Sequence, residues 1–285
     1  MNVPAPVAEW SQQQGHGQVT GVKPVAGGCI NNGARIETGS GASFFLKQNP
    51  QAPSDMFRRE AEALRELAIE GGPVVPKPLL VEAKFLLLED LNPGPKQPDY
   101  WPSFGRRLAG LHQKQNDQFG FDHDNYLGST PQPNPWTRDG FEFFAEHRLL
   151  FQAHLAQENR HFTADDFKRV EALAKRLPDL IPEQPAALIH GDLWSGNAIA
   201  DSQGRPAIID PAAHYGWPEA ELGMTKLFGG FPAAFYDAYQ EIQPLAEGWR
   251  ERLPLYNLYH LLNHLNIFGS SYSARVQSVL SRFGP

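Results

Sequence analysis

The run His190-Gly191-Asp192-Leu193-Trp194-Ser195-Gly196-Asn197, followed by Ile208-Ile209-Asp210-Pro211, constrains this chain more than any other stretch. It sets an Asp, an Asn five residues later and a second Asp thirteen residues after that, all beside short apolar runs. Those runs (187–190, 197–200 and 206–209) are too short for helices and read as strands, the last two joined by Asp201-Ser202-Gln203-Gly204. Strand ends therefore bring two carboxylates and a carboxamide together. That set suits phosphoryl transfer from a nucleotide. One carboxylate accepts or orients the proton of an acceptor hydroxyl, the carboxamide oxygen binds a metal, and the second carboxylate binds the metal that bridges the phosphates. His-Gly-Asp alone is a common turn, and Asp-Pro often only closes a strand; it is the joint spacing that carries the reading.

At 285 residues the chain can hold one large domain or two lobes. Residues 18–25, 32–37 and 43–49 are β-compatible and separated by glycine turns. A helical pattern follows, with Met56, Phe57, Glu60, Ala61, Leu64 and Leu67 at spacings of three and four, ended by Gly71-Gly72-Pro73. Residues 74–78 are Pro-rich and extended, and 84–90 read as a buried strand. Asn92-Pro93-Gly94-Pro95 through Pro98 is a breaker-rich connection, which places a lobe boundary between 1–91 and 92–285. Beyond it, 100–115, 138–157 and 164–180 read as helices, 119–136 as a long ordered loop, and 219–285 as mainly helical. The expected fold is α+β and bilobal: a small antiparallel-sheet lobe with one helix, then a larger, mostly helical lobe.

Several residues outside the central motif bear on the same chemistry. Gly27-Gly28-Cys29-Ile30-Asn31-Asn32-Gly33 is a turn whose backbone can approach phosphates closely, with Gly28 and Asn31 as candidates. It is not a Walker A loop, since Ala34-Arg35 follows. Lys47 follows Phe44-Phe45-Leu46, and an ammonium on an apolar strand needs an anion. Glu60 on the next helix is placed to pair with it. Glu89 and Leu91 flank the lobe junction, where backbone groups would meet a base. His190 is expected to brace its loop and not to act as a base. His260 and His264 stand one helical turn apart, but Leu261-Leu262-Asn263 lacks the Glu of a zincin helix, so they are expected to pack or to line an acceptor pocket. Ser195 lacks the Gly-x-Ser-x-Gly context of a nucleophile.

Composition narrows the partners. Apolar residues make up 41% and charged residues 20%, which fits a folded protein and not a disordered one. A formal net charge of −7 speaks against nucleic acid or anionic membrane as a partner, because both need a dense basic face. The single cysteine, Cys29, excludes an intrachain disulfide and a cysteine metal cluster. The first 22 residues carry no Lys or Arg and no continuous apolar run, so neither a secretory signal nor a transit peptide is expected. A cytoplasmic monomer or weak dimer is the expectation. A redox-dependent dimer through Cys29 is a further hypothesis, since an exposed thiol there is open to oxidation.

With these residues in hand, the chain resembles the fructosamine-3-kinase (ketosamine kinase) family, within the aminoglycoside and choline kinase-like branch of the protein-kinase fold. The resemblance rests on Gly-Gly-Cys-Ile-Asn (27–31), Phe-Leu-Lys-Gln-Asn (45–49), Met-Phe-Arg-Arg-Glu-Ala (56–61) and His-Gly-Asp-Leu-Trp-Ser-Gly-Asn (190–197). Ile-Asp-Pro-Ala (209–212), Leu-Phe-Gly-Gly-Phe (227–231) and Leu-Tyr-His-Leu-Leu-Asn-His-Leu-Asn (258–266) extend it. It implies phosphorylation, dependent on ATP and Mg2+, of the sugar 3-hydroxyl of ketosamines, free or on protein lysines, in a deglycation role. It also implies Asp192 as catalytic base, Asn197 and Asp210 as metal ligands, and Lys47 as the phosphate-binding lysine with Glu60 its partner. Trp194 would stack on the sugar or pack beside the loop. Relatives commonly carry Glu-x-Asp where this chain has Glu219-Ala220-Glu221. Glu221 and the nearby Trp217 are therefore expected to touch the acceptor and shift its preference. Two other readings stay open. One is a kinase for another hydroxylated amine, such as an aminoglycoside or choline. The other is a non-catalytic nucleotide- or adduct-binding module, against which the full Lys, Glu, Asp, Asn and Asp set argues.

Overall fold

A computed structural model of the chain describes residues 2–25 and 32–284. Its small lobe runs α1 (Ala5–Gln13), β1 (Val19–Val25), β2 (Asn32–Thr38), β3 (Ser43–Gln48), α2 (Met56–Leu67), β4 (Pro78–Glu82) and β5 (Phe85–Glu89). The strands form one sheet in the order β1-β2-β3-β5-β4, each neighbour antiparallel. Alternation sets the faces: Ala34, Ile36 and Thr38 of β2 are buried while their neighbours are partly open. The run Phe85 to Leu88 is buried throughout, because this strand is covered on both sides. On one side α2 lays Met56, Phe57, Ala61 and Leu64 against Leu86 and Leu88. On the other, Val7 joins Ile36, Phe44, Leu46, Phe85 and Leu87.

That second cover corrects the expectation of a single helix in this lobe. Helix α1 has few apolar anchors, Val7 and Trp10, set among glutamines. Tertiary burial holds it where the local pattern is weak, with the Trp10 ring edge-on to Phe44 at 5.1 Å. Strand β4 likewise lies further along the chain than the extended 74–78 segment and shares only Pro78 with it, which is tolerated at its first position on the sheet edge.

The large lobe begins with α3 (Tyr100–His112), β6 (Gln115–Asn116), β7 (Asn125–Leu127) and β8 (Thr130–Gln132). Next come α4 (Gly140–Phe144), a π-helical turn (Ala145–Leu150), α5 (Phe151–Glu158), α6 (Ala164–Ala174) and α7 (Leu177–Leu180). Strands β9 (Ala186–Ile189), β10 (Ala198–Ala200), β11 (Pro206–Ile208) and β12 (His214–Gly216) follow. The chain closes with α8 (Pro218–Leu227), α9 (Ala233–Ile242), α10 (Trp249–Phe268) and α11 (Ser273–Phe283). Strand β9 lies between β12 and β6, β10 pairs with β11, and β7 with β8 form a small hairpin. Helix α3 packs along α9, and a Cβ on Gly105 would stand 2.1 Å from the Phe235 carbonyl oxygen, so only glycine permits that approach. Among the described residues no helix is long and apolar enough to cross a membrane. The lobes meet where Val74 exchanges backbone hydrogen bonds with Pro206 and Ile208 at 2.9 Å each. This contact ties the segment between α2 and β4 to the β10–β11 hairpin.

Candidate active site

The loop between β9 and β10 holds its acidic residue by backbone geometry. Gly191 turns the chain at φ +82°, and a Cβ there would stand 2.2 Å from the Ala212 carbonyl oxygen. His190, fully buried, accepts the Asp192 N–H at Nδ1 (3.2 Å). Its proton therefore sits on Nε2, which donates to the Ile209 carbonyl at 2.8 Å. Burial holds this imidazole below its usual pKa, against the opposing pull of Glu221, so a neutral ring ties the Asp192 loop to the Asp210 segment. Asn197 Nδ2 donates to the Asp192 carbonyl (2.8 Å) and to Asp192 Oδ2 (3.1 Å). The Asp192 carboxyl is raised well above the carboxylate range, first by burial and then by the charge of Asp210, with the Asn197 bond opposing. A group so placed favours taking up a proton.

From behind, Glu221 accepts the His190 N–H at 2.5 Å and the Gly191 N–H at 3.1 Å. Its side chain is fully buried, with His112 Nε2 at 3.6 Å. This corrects the expectation that Glu221 meets the acceptor: it holds the two peptide groups immediately before Asp192. Trp217 is corrected in the same way. Only 3% exposed, it lies among Phe119, Phe141 and Phe144, with ring centroids 5.4–5.9 Å away. Helix α8 begins directly after it, so its indole points into the core behind the catalytic loop.

Above the loop, Lys47 on β3 is 5% exposed and its Nζ lies 2.6 Å from Glu60 Oε1 and 2.9 Å from Asp210 Oδ1. Burial alone would lower the pKa of this ammonium, but Asp210 and Glu60 together outweigh it and raise it. Burial pushes the Glu60 carboxyl up, and Lys47 pulls against that. Asp210 takes φ +58°, a left-handed conformation that side chains rarely adopt, two residues past the end of β11. The strain is held by the Ile209 N–H, which donates to the Asn197 carbonyl at 3.1 Å. The Asp210 carboxylate and the Asn197 carboxamide oxygen are hard oxygen donors of the kind Mg2+ takes alongside phosphates and water. Among the described residues no group of three His, Cys, Asp or Glu side chains could hold a metal by itself.

These residues face one cleft of about 910 Å³ between the lobes, which also reaches Glu89, Leu91, Trp194 and His264. Glu89 ends β5, and the Leu91 carbonyl accepts the Ser202 N–H at 2.8 Å. Gly28, Asn31 and Cys29 lie outside the described residues. At the far end Trp194, Phe228, His264, Phe268 and Tyr272 form an aromatic wall. His264 Nδ1 donates to the His260 carbonyl at 2.8 Å, leaving Nε2 as an acceptor, and burial holds the ring neutral by lowering its pKa. Among the lining residues that sequence reasoning did not single out as site residues are Arg35, Tyr126, Phe228 and Asn263, although Phe228 and Asn263 fall within the 227–231 and 258–266 motifs. Arg35 binds Asp90 at 2.7 Å beside the lobe junction, and a basic residue straight after the glycine turn was its one visible hint.

Comparison with known proteins places this geometry. A family described as Fructosamine kinase matches residues 3–283. A Synechocystis protein named "Probable ketoamine kinase" is 42% identical over 99% of this chain and 98% of its own length. The chloroplastic protein-ribulosamine 3-kinase of rice (Oryza sativa subsp. indica) is 37% identical over 98% of this chain and 83% of its own. A crystal structure from Thermobifida fusca, designated a fructosamine-3-kinase, superposes with a TM-score of 0.88 at 34% identity, covering 98% of both chains. The fold described above is therefore shared over nearly the whole of both chains. The chain belongs to the fructosamine kinase family.

Proposed function

We propose that this protein transfers the terminal phosphoryl group of ATP to the sugar 3-hydroxyl of ketosamines, the adducts of sugars with amines. The observation that carries the reading is the shared cleft, with Asp192 at its floor and the Lys47–Glu60–Asp210 cluster above. The names of the relatives, ketoamine kinase and protein-ribulosamine 3-kinase, support the acceptor class.

In this reading Lys47, held by Glu60, meets the phosphates. Asp210 and Asn197 hold Mg2+, which when bound spreads the negative charge that builds up on the transferred group. Asp192 orients the acceptor hydroxyl and takes its proton, and Asn197 keeps that carboxylate aimed at the cleft. Transfer is direct and in line, so no covalent phosphoenzyme forms. The aromatic wall receives the sugar and its amine, with Trp194 stacking and His264 Nε2 accepting a hydrogen bond from the adduct. Glu89 and Leu91 supply backbone groups to the base. The protein works without nucleic acid or a membrane as partner.

The test is Mg-ATP consumption by the purified protein with ribulosyl-lysine, fructosyl-lysine, choline and an aminoglycoside as separate acceptors. ADP release dependent on a ketosamine is the expected result. Turnover with choline or the aminoglycoside alone would move the acceptor class and keep the kinase. Nucleotide binding with no acceptor-dependent release would leave a binding module.

A further inference from the structure

Helix α2 carries Glu60, yet one side of it is held by the large lobe. Asp55 precedes α2 as its N-cap, a position where Asp ordinarily accepts first-turn N–H groups; here its side chain makes no such bond. Its Oδ1 instead accepts the Tyr126 hydroxyl at 2.7 Å, and its Oδ2 accepts Arg59 Nε at 3.3 Å. Further along, Glu62 meets His123 at 2.7 Å, while Glu66 meets Lys114 at 2.6 Å and the Tyr215 hydroxyl at 3.3 Å. Asp55, Glu62 and Glu66 fall on one stripe of the helix, and every one of these cross-lobe partners comes from the large lobe.

Tyr126 reaches furthest. Its ring packs against the Met56, Phe57 and Leu88 cluster of the small lobe and also lines the cleft. Burial, then the bond to Asp55, push its phenol up to about 12, so it stays a donor through the physiological range. The hairpin that carries it is itself tied down. Asn125 Nδ2 donates to the Ala213 carbonyl (2.8 Å) and Gln132 Nε2 to the Ala212 carbonyl (3.0 Å), both just past Asp210. Asn263 Nδ2 on α10 reaches the Leu127 carbonyl at 3.4 Å.

We propose that Tyr126 is a positioning residue: through Asp55 it fixes α2, and through Glu60 it sets where Lys47 meets the phosphates. The β7–β8 hairpin thereby registers the small lobe against the Asp210 segment. The turnover arm of the test rests on the kinase reading, whereas the nucleotide-binding arm does not.

The experiment compares Tyr126→Phe, which keeps the ring and loses the hydroxyl, with Tyr126→Ala in the full-length chain. Binding of a fluorescent non-hydrolysable ATP analogue with Mg2+ is measured, together with kcat and KM for ATP at saturating ketosamine. Tyr126→Phe is expected to weaken analogue binding and raise KM for ATP about three- to tenfold, Tyr126→Ala by more, with acceptor KM within twofold of wild type. In a Glu60→Gln background the Tyr126→Phe effect is expected to vanish, because the path through Glu60 is already broken. Unchanged analogue binding and KM for ATP in Tyr126→Phe would overturn the proposal. So would full additivity with Glu60→Gln, or a shift confined to acceptor KM. If Tyr126→Ala fails to fold, Tyr126→Phe decides alone. If wild type binds the analogue but phosphorylates no ketosamine, the functional reading fails and the binding arm still decides this one.

Discussion

The two ends of the cleft are held by different forces. At the proposed phosphate end Lys47 binds two carboxylates, Asn197 donates to Asp192, and the peptides behind them bind Glu221 and His190. At the proposed acceptor end Trp194, Phe228, His264, Phe268 and Tyr272 meet ring against ring, and His264 keeps Nε2 as an acceptor. Interlocked charges and hydrogen bonds fix atoms closely, which suits a reaction that tolerates little misplacement. An aromatic wall fixes shape and leaves the polar pattern loose. Changes at one end should therefore alter rate, and changes at the other should alter which acceptor is preferred.

The largest effect that would break this contrast is at Asp192. Asp192→Ala is expected to cut turnover by about 10²–10⁴-fold, the usual span for losing a general base. Nucleotide affinity, measured by calorimetry, should hold, since in the proposed mechanism the side chain acts on the acceptor hydroxyl. Near-normal turnover would remove Asp192 from the role. Next comes Glu221→Ala, which orphans the buried N–H groups of His190 and Gly191 at about 1–3 kcal/mol each. Denaturant unfolding should show that loss, and turnover should fall with no change in the ranking of acceptors. A changed ranking at constant stability would put Glu221 back at the acceptor.

The phosphate end was the more legible in the sequence, for a physical reason. Asp192, Asn197 and Asp210 lie within one strand–loop–hairpin unit, so spacing along the chain translates directly into spacing in space. Lys47 and Glu60 follow the same logic on a strand and the next helix. Glu221 was misread because its partners are peptide N–H groups, which leave no mark in side-chain identity. Trp217 was misread because it is near the motif in sequence, while the start of α8 turns it toward Phe119 and Phe144. The β7–β8 hairpin passed as loop since strands of three residues are too short to show a period. Helix α1 was missed because two apolar residues among glutamines do not signal a buried face.

A smaller effect concerns pH and belongs to the buried layer behind the cleft. His260, one turn before His264 on α10, is 5% exposed. Burial, then the charges of His264 and Arg148, hold its imidazole down at about 3. An unfolded histidine takes its proton near pH 6.5, so between those values the unfolded chain binds more protons than the native one. Stability from this residue is thus complete above about pH 6.5 and declines as the solution is acidified, by about 2 kcal/mol at pH 5. His260→Leu should flatten that decline when denaturant midpoints at pH 7 and pH 5 are compared. An equal acid loss in variant and wild type would place the acid sensitivity elsewhere.

The smallest expected change is at Trp194, and it separates the two ends most sharply because this residue belongs to both. Its backbone is part of the catalytic loop, where its carbonyl accepts the Asn197 N–H at 3.0 Å. Its ring folds over Gly196, where a Cβ would stand 2.4 Å from the indole, and meets Phe228 at 6.0 Å on the acceptor wall. Trp194→Leu leaves the backbone role intact and removes only the aromatic face. One stacking contact is worth about 0.5–1.5 kcal/mol, so acceptor KM should rise about two- to tenfold. The values of kcat and KM for ATP should stay within twofold. Trp217→Phe serves as the control: an indole of the same type, buried away from the cleft, whose trimming should lower stability and leave acceptor KM alone. If Trp194→Leu lowered kcat with acceptor KM unchanged, the ring would be packing that supports the loop, and the acceptor wall would begin at Phe228.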